Sequence, residues 1–315
     1  MRTALVTGAT GLIGSALMPR LLEQNYHVIC LTRPGKRVRI NTGVTAIEIP
    51  SFEPDKLRKA LAGLSPEIVF HLASYGVQAP DRDGEQLIEG NIRLTAHLLQ
   101  AVAGSPLRTF LFAGSCSEYG PPEAHGRLMA EDHPLRPTSV YGAAKAAAEL
   151  YGNALAGQLK VPFTTLRLFN VYGPGEGPYR LIPFIMDHLL RDQPAELTGG
   201  EQVRDFLHCD EVASALIAAA SADLHPHHAY NVCSGQPATV REAGELAADA
   251  LGKPRALLQW GKRPYRNDEP MWVVGDNTKF HEATGWQPHM DLRTGIRRMI
   301  EIVRQQRSRE HQHAV

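Results

Sequence analysis

The stretch that most limits the fold is Thr7-Gly8-Ala9-Thr10-Gly11-Leu12-Ile13-Gly14. The apolar triplet Ala4-Leu5-Val6 precedes it and reads as a short strand. Residues 15–24 follow as a helix, with Ala16, Leu17, Leu21 and Leu22 on its apolar face, and Val28-Ile29-Cys30-Leu31 is a second strand. Strand, glycine-rich turn, helix and strand make the βαβ unit of a dinucleotide-binding fold. The glycines let the backbone approach a pyrophosphate, and the helix N-terminus offers free N–H donors and positive dipole. The spacing is G-x-x-G-x-x-G, so Gly8, Thr10, Gly11, Leu12, Ile13 and Gly14 are the candidate cofactor contacts.

The second strand ends Leu31-Thr32-Arg33-Pro34-Gly35-Lys36-Arg37. An NAD site of this kind usually places an acid here for the ribose hydroxyls. No acid is present, and Arg33 suits a 2′-phosphate, which a guanidinium can grip with two hydrogen bonds. The expected cofactor is therefore NADP(H), with NAD(H) second; a solvated basic loop is the alternative reading of the cations.

The alternation continues. Residues 55–64 read as a helix, 67–74 as a strand running into Leu72, Ala73 and Ser74, and 87–103 as a long helix carrying Asn91 and Thr95. Residues 108–113 form a strand ending at Gly114-Ser115-Cys116-Ser117. Such alternation predicts an α/β fold, a Rossmann-type doubly wound parallel sheet, with ligands beyond the carboxyl ends of its strands. Gly8, Arg33, Ser74 and Ser115 fall at those ends and are expected to converge.

Tyr141 and Lys145 are four apart at the head of the helix-forming run Ala146-Ala147-Ala148-Glu149-Leu150, so they share one helix face. An ammonium one turn away is expected to pull a phenol down from a pKa of about 10, giving an acid/base useful at neutral pH.

Bulk properties exclude some classes. With 33 basic and 33 acidic side chains the formal charge is zero, so nothing in the balance favours nucleic acid or an anionic membrane. No apolar run reaches the roughly 18 residues of a membrane span. Cys30, Cys116, Cys209 and Cys233 are widely spaced, which fits buried thiols better than disulfides or zinc, and no metal is expected. Met1-Arg2-Thr3 leads directly into a strand without signal-peptide architecture, so a cytoplasmic protein is expected.

After Asn170 the pattern becomes irregular, with a loop at Pro174-Gly175-Glu176-Gly177-Pro178 and helices over 181–191, 212–220, from 240 and 292–304. Thr239 and Glu242 have capping-box spacing. The expected division is an NADP-binding domain over 1–170, with about 203–233 returning to it. A smaller mixed α/β substrate domain would span 171–202 and 234–305, followed by a flexible tail over 306–315.

Taken in order, these motifs resemble the extended short-chain dehydrogenase/reductases, and within them the nucleotide-sugar epimerases, dehydratases and reductases. The likeness rests on the turn at 7–14, His71-Leu72-Ala73-Ser74, Asn91-Ile92-Arg93-Leu94-Thr95, and Gly114-Ser115-Cys116-Ser117-Glu118-Tyr119-Gly120. It extends through Tyr141 and Lys145, Leu166-Arg167-Leu168-Phe169-Asn170-Val171-Tyr172-Gly173-Pro174, and Arg204-Asp205-Phe206-Leu207-His208-Cys209-Asp210. The resemblance implies that Tyr141 exchanges a proton with the substrate oxygen while hydride moves between a sugar carbon and a nicotinamide. Lys145 would hold the nicotinamide ribose, Ser115 would place the substrate oxygen, and Asn91 would steady the 71–74 segment. Arg204 and Arg266 would clamp a diphosphate, or would form surface salt bridges; Ser115, Cys116, Ser117 and Asn170 complete the implied substrate site. It also implies a homodimer through a pair of helices, 87–103 and 141–157, from each subunit.

Departures from the family narrow the reaction. Dehydratases resemble one another in an Asp-Glu pair after the catalytic Thr; here Cys116 and Ser117 stand there, and neither is a good acid for expelling water. The Cys two residues before Tyr-Gly in enzymes resembling GDP-fucose synthase is Ser117 here. The first expectation is an NADPH-dependent reductase of a nucleotide-linked 4-keto-6-deoxyhexose, because Arg33 points to the reducing cofactor. A 4-epimerase that recycles hydride on bound NAD(P) is the alternative. A catalytically silent NADP-binding regulator is the third reading, and the presence of Tyr141 and Lys145 opposes it.

Overall fold

The computed structural model describes residues 2–35, 42–50, 52–77, 83–122 and 126–313. Lys36 and Arg37, counted above with the cationic strand end, lie outside the described residues. Seven strands form one sheet: β1 (Thr3–Thr7), β2 (His27–Thr32), β3 (Val44–Glu48), β4 (Ile68–His71), β5 (Thr109–Ser115), β6 (Phe163–Leu168) and β7 (Ala229–Val232). Their order is β7-β6-β5-β4-β1-β2-β3, and every pairing is parallel. The chain runs outward from β1 to β3, then crosses back to β4, so the order reverses beside β1, where such sheets bind ligands.

Near-continuous apolar strands need cover on both faces. On one face α1 (Leu12–Glu23) packs with a later helix, Cys209–Ser221, around Leu17, Leu21, Phe70, Leu166 and Leu216. On the other face α2 (Pro54–Ala60), the segment 84–102 and the helix Val140–Leu159 surround Ile29, Leu98, Phe110, Phe112 and Phe163. A further core, with Ile185, Leu189, Ala247, Leu258, Ile296 and Met299, lies among the helices Leu181–Leu190, Val240–Leu251 and Leu292–His313.

The expected α/β architecture is therefore present, with differences in detail. β3 was not anticipated; its Val-Thr-Ala-Ile-Glu alternation pairs in register with β2. The last helix continues to His313, past the expected end near 304 and through most of the expected tail. The 84–102 segment is α-helical at Gly84–Leu87 and Leu94–Val102 but π-helical at Ile88–Arg93. The Asn91 side chain supplies a reason. Its Nδ2 donates to the Leu87 carbonyl at 2.9 Å, taking the acceptor that the Asn91 amide would use in an α-helix.

Candidate active site

The glycine turn follows β1. Gly8 has φ +73°, and a Cβ there would stand 2.7 Å from the Ala73 amide nitrogen. A Cβ on Gly14 would stand 2.2 Å from the Gly8 carbonyl oxygen. Gly11, exposed, would bring its Cβ 3.3 Å from that same oxygen. It caps α1 with no side-chain hydrogen bond, which leaves first-turn N–H groups for an outside acceptor. Thr10 is exposed beside it, and Leu12 and Ile13, half-buried, start the helix. Such a turn has room and donors for the pyrophosphate of a nicotinamide dinucleotide. Arg33 is exposed at the carboxyl end of β2.

A hydrogen-bonded chain ties this turn to the next strand end. Thr7 Oγ1 and His71 Nδ1 are 2.7 Å apart, and His71 Nε2 is 3.0 Å from Thr95 Oγ1. The Thr95 hydroxyl donates to the Asn91 carbonyl at 2.6 Å, so its oxygen accepts from His71 Nε2–H. His71 Nδ1 is then the acceptor and Thr7 the donor. Burial, and secondarily Lys145, lower the His71 pKa to about 3, which keeps the ring neutral. Asn91 uses both ends of its amide: Oδ1 accepts from Ser74 Oγ at 2.7 Å and the Tyr75 amide at 3.3 Å, and Nδ2 donates to the Tyr75 carbonyl at 3.0 Å. Leu72, Ala73 and Ser74 are thus fixed in the loop after β4.

Ser115 ends β5 and caps a short 3-10 turn, Cys116–Glu118. Its oxygen accepts from the Ser117 amide at 3.2 Å, so its own proton is left to donate, with the Tyr141 phenol in reach. Gly142 allows the next helix to approach; a Cβ there would lie 2.3 Å from the Ser117 carbonyl oxygen. The Tyr141 hydroxyl consequently meets those of Ser74 and Ser115. The phenol thus brings together Ser74 and Ser115, two of the four residues whose convergence the strand ends suggest.

The electrostatics differ from the expectation. Burial pushes the Tyr141 phenol up to about 12, with its hydrogen bonds to Ser74 and Ser115 opposing the rise. Lys145 is tied to β5 by one of its three donors. Its ammonium donates to the Ala113 carbonyl at 2.6 Å and stands 4.0 Å over the Phe112 ring. Burial lowers its pKa to about 8, opposed by Glu118 and Glu149.

Cys116 adjoins Asn170, whose backbone hydrogen-bonds its sulfur, with Arg204 and Arg180 close enough to act on its charge. Burial nevertheless raises the Cys116 thiol to about 11, so it is neutral. Asn170 Nδ2 is buried without a partner, as a donor awaiting a ligand would be. Arg204 and Arg266 are brought together, but by a carboxylate: Arg204 Nη2 is 2.6 Å from Glu269 Oε1, and Arg266 Nε is 2.8 Å from Glu269 Oε2. Arg204 is largely buried and Arg266 is exposed.

Sequence reasoning missed a buried charged cluster beneath Ser115. Arg167 holds Glu149 with Nε–Oε2 at 3.0 Å and Nη2–Oε1 at 2.5 Å, and donates to Tyr119 at 2.8 Å. Glu118, fully buried, accepts from the Ser115 amide at 2.5 Å. The available signal was a charged residue inside an apolar strand, Leu166-Arg167-Leu168, which demands a buried partner.

A parallel sheet in this order, with a glycine cradle and a Tyr-Lys helix at its carboxyl edge, defines a nicotinamide-dinucleotide enzyme of the extended short-chain type. Residues 4–233 match the model of the NAD dependent epimerase/dehydratase family, and the chain belongs to that family. It is 30% identical to a UDP-glucose 4-epimerase of Mycolicibacterium smegmatis, over 96% of this chain and 99% of the relative. Its fold is similar to the crystal structure of a Thermotoga maritima UDP-glucose 4-epimerase with UDP-glucose, at a TM-score of 0.87 and 27% identity, covering 96% of this chain and 99% of the other. A Bacillus cereus UDP-glucuronic acid 4-epimerase in complex with UDP-glucuronic acid and NAD gives a TM-score of 0.85 at 25% identity, covering 96% and 99%. No helix among the described residues is long and apolar enough to cross a membrane.

Proposed function

We propose that the protein is a nucleotide-sugar 4-epimerase. The observation that carries this reading is the convergence of Tyr141 and Ser115 at the sheet's carboxyl edge, beside a neutral Cys116 and a Ser117 where a dehydratase would need acids. The relatives then tip the balance from the reductase expected first toward the epimerase, its alternative.

A nicotinamide dinucleotide held at the glycine turn would supply the hydride acceptor and donor that epimerisation needs. Within that frame, Ser115 would turn its O–H to the C4 oxygen, and Tyr141, once the positive charge of Lys145 and of an oxidised nicotinamide has drawn off its own proton, would take the hydroxyl proton as a phenolate and later return it. Lys145 holds the ribose and adds positive charge beneath the site. The body formed by 1–170 and about 203–233 carries the cofactor, and 171–202 with 234–305 carries the sugar nucleotide. Asn170, Arg204 and Arg266 face the diphosphate, with Glu269 presenting the two guanidiniums. Arg33 favours the 2′-phosphorylated cofactor over NAD.

Exposed apolar side chains on the helix pair, Ile88 at 41%, Val140 at 68%, Leu150 at 60% and Tyr151 at 53%, support a homodimer through these helices. Light scattering that returned a monomer would refute it.

The functional test is to incubate the purified protein with UDP-glucose, UDP-galactose and UDP-glucuronic acid. Interconversion at C4 with no net change in NAD(P)H absorbance supports the epimerase. Stoichiometric oxidation of NADPH by a nucleotide-linked 4-keto-6-deoxyhexose, without interconversion, would replace it with the reductase.

A further inference from the structure

Glu118 stands immediately behind the reacting hydroxyls and has no part in the chemistry described above. Its Oε1 accepts the Ser115 amide at 2.5 Å and closes a capping box around the 3-10 turn. Its Oε2 is buried, lies 3.7 Å from Arg167 Nε, and has no hydrogen-bond partner of its own. The carboxyl group occupies space that a side chain at 114 would fill, since a Cβ on Gly114 would stand 3.0 Å from Glu118 Oε1. Glu149 and Lys145 on the helix, Arg167 on β6 and the Ser115 amide are the charged or polar groups that face it.

We propose that Glu118 is a positioning residue for the proton-transfer site: a neutral carboxylic acid wedged between Ser115 and the Glu149–Arg167 pair, fixing the Ser115 hydroxyl. The inference rests on the 4-epimerase reading for its kinetic test alone. The surroundings favour the neutral form. Arg167 is already gripped by Glu149 at 2.5 Å, so a second buried carboxylate would share that guanidinium only at 3.7 Å and without a hydrogen bond. A protonated Oε2 would instead be able to donate to the neighbouring Glu149 carboxylate, while Oε1 remains the acceptor for Ser115. Burial and the adjoining Glu149 raise the Glu118 pKa well above the carboxylate range, in agreement. One face of Ser115 is thereby anchored twice, at its amide by Glu118 and at its oxygen by Ser117 N–H. Its remaining freedom is the direction of the O–H.

Two variants of nearly equal shape separate positioning from packing. Glu118→Gln retains an acceptor for Ser115 and a donor for Glu149, as the neutral acid does. Glu118→Met fills the space and does neither. The expected result, with both variants folded by circular dichroism, is a kcat for Glu118→Gln within about threefold of the parent. For Glu118→Met, kcat is expected to fall tenfold or more with KM and dinucleotide affinity unchanged. An unchanged kcat in folded Glu118→Met would overturn the positioning role. A loss in folded Glu118→Gln equal to that in Glu118→Met would overturn the neutral acid. Carbon-13 spectra of protein labelled at the Glu carboxyl carbons give an arm independent of any substrate. A protonated-carboxyl signal at pH 7 that disappears in Glu118→Gln supports the proposal, and its absence from the parent refutes it. A parent that epimerises no nucleotide sugar would defeat the functional reading, while the carbon-13 arm would still decide the state of Glu118.

Discussion

Lys145 donates its ammonium proton to the Ala113 carbonyl at 2.6 Å, across the helix–sheet interface and beneath Tyr141. The contact anchors the lysine at the end of β5. With a pKa lowered to about 8, Lys145 is charged below that pH and becomes neutral as the pH rises through it. In its proposed role as a charged donor to the nicotinamide ribose, Lys145 would add the hydrogen-bond energy of an ionised group, so dinucleotide affinity is expected to fall about tenfold between pH 7 and pH 9.5. Fluorescence titration of NADH and NADPH measures this. Lys145→Met is expected to bind weakly at both pH values; a Lys145→Met titration with the parent's pH dependence would show that another group is responsible.

Removing the Tyr141 hydroxyl leaves the ring and its packing. A positioned acid/base contributes about 10²- to 10⁴-fold, so Tyr141→Phe is expected to lose turnover by that factor with cofactor affinity retained. Because burial holds the phenol at about 12, the free protein should show no Tyr141 ionisation near neutrality. Ordinary turnover in folded Tyr141→Phe would remove Tyr141 from the mechanism.

The three turn glycines are not equivalent, and alanine substitutions should separate them. At Gly14 a methyl group would meet the Gly8 carbonyl oxygen at 2.2 Å, and at Gly8 it would meet the Ala73 amide at 2.7 Å in a left-handed conformation. Both contacts are with backbone, so Gly8→Ala and Gly14→Ala are expected to lower the melting temperature by several degrees, on a cost of about 1–3 kcal/mol. Gly11→Ala has more room, so stability should remain near the parent's while the methyl group obstructs the pyrophosphate. Differential scanning calorimetry with and without NAD checks the contrast. Equal destabilisation by all three would show that Gly11 is also structural.

Much of this site is legible in the chain because its physics is local. The strand–turn–helix around Gly8 and the helical spacing of Tyr141 and Lys145 involve neighbours in sequence, and their order along a parallel sheet brings them to one edge. What was not legible depends on long-range packing. The strand Val44–Glu48 is short and half-exposed, and only its register with β2 identifies it. The π-helical segment at Ile88–Arg93 follows from a side-chain bond of Asn91 that no periodicity reports. Lys145 looks like a partner for Tyr141 on one helix face, yet the carbonyl that holds it belongs to β5. For Arg204 and Arg266 the sequence leaves a diphosphate clamp and salt bridges both open, and only the fold shows that Glu269 lies between them.

His71 offers a test of the framework that needs no substrate. The folded protein holds its ring neutral between Thr7 and Thr95, with a pKa lowered from 6.5 to about 3. Below pH 6.5 the unfolded chain binds a proton that the folded protein refuses, so unfolding gains from every further fall in pH until about 3. The stabilisation is therefore complete above pH 6.5 and is lost progressively as the pH drops toward 3, by at most ~5 kcal/mol. Between pH 7 and pH 4.5 the expected share is about 2–3 kcal/mol. His71→Asn keeps an amide between the two threonines but cannot titrate. Its stability should start lower at pH 7 and decline less over this interval, measured as urea midpoints at each pH. An acid dependence in His71→Asn as steep as the parent's would show that His71 is not the group that titrates, and that the neutral ring inferred from the Thr7–His71–Thr95 chain is wrong.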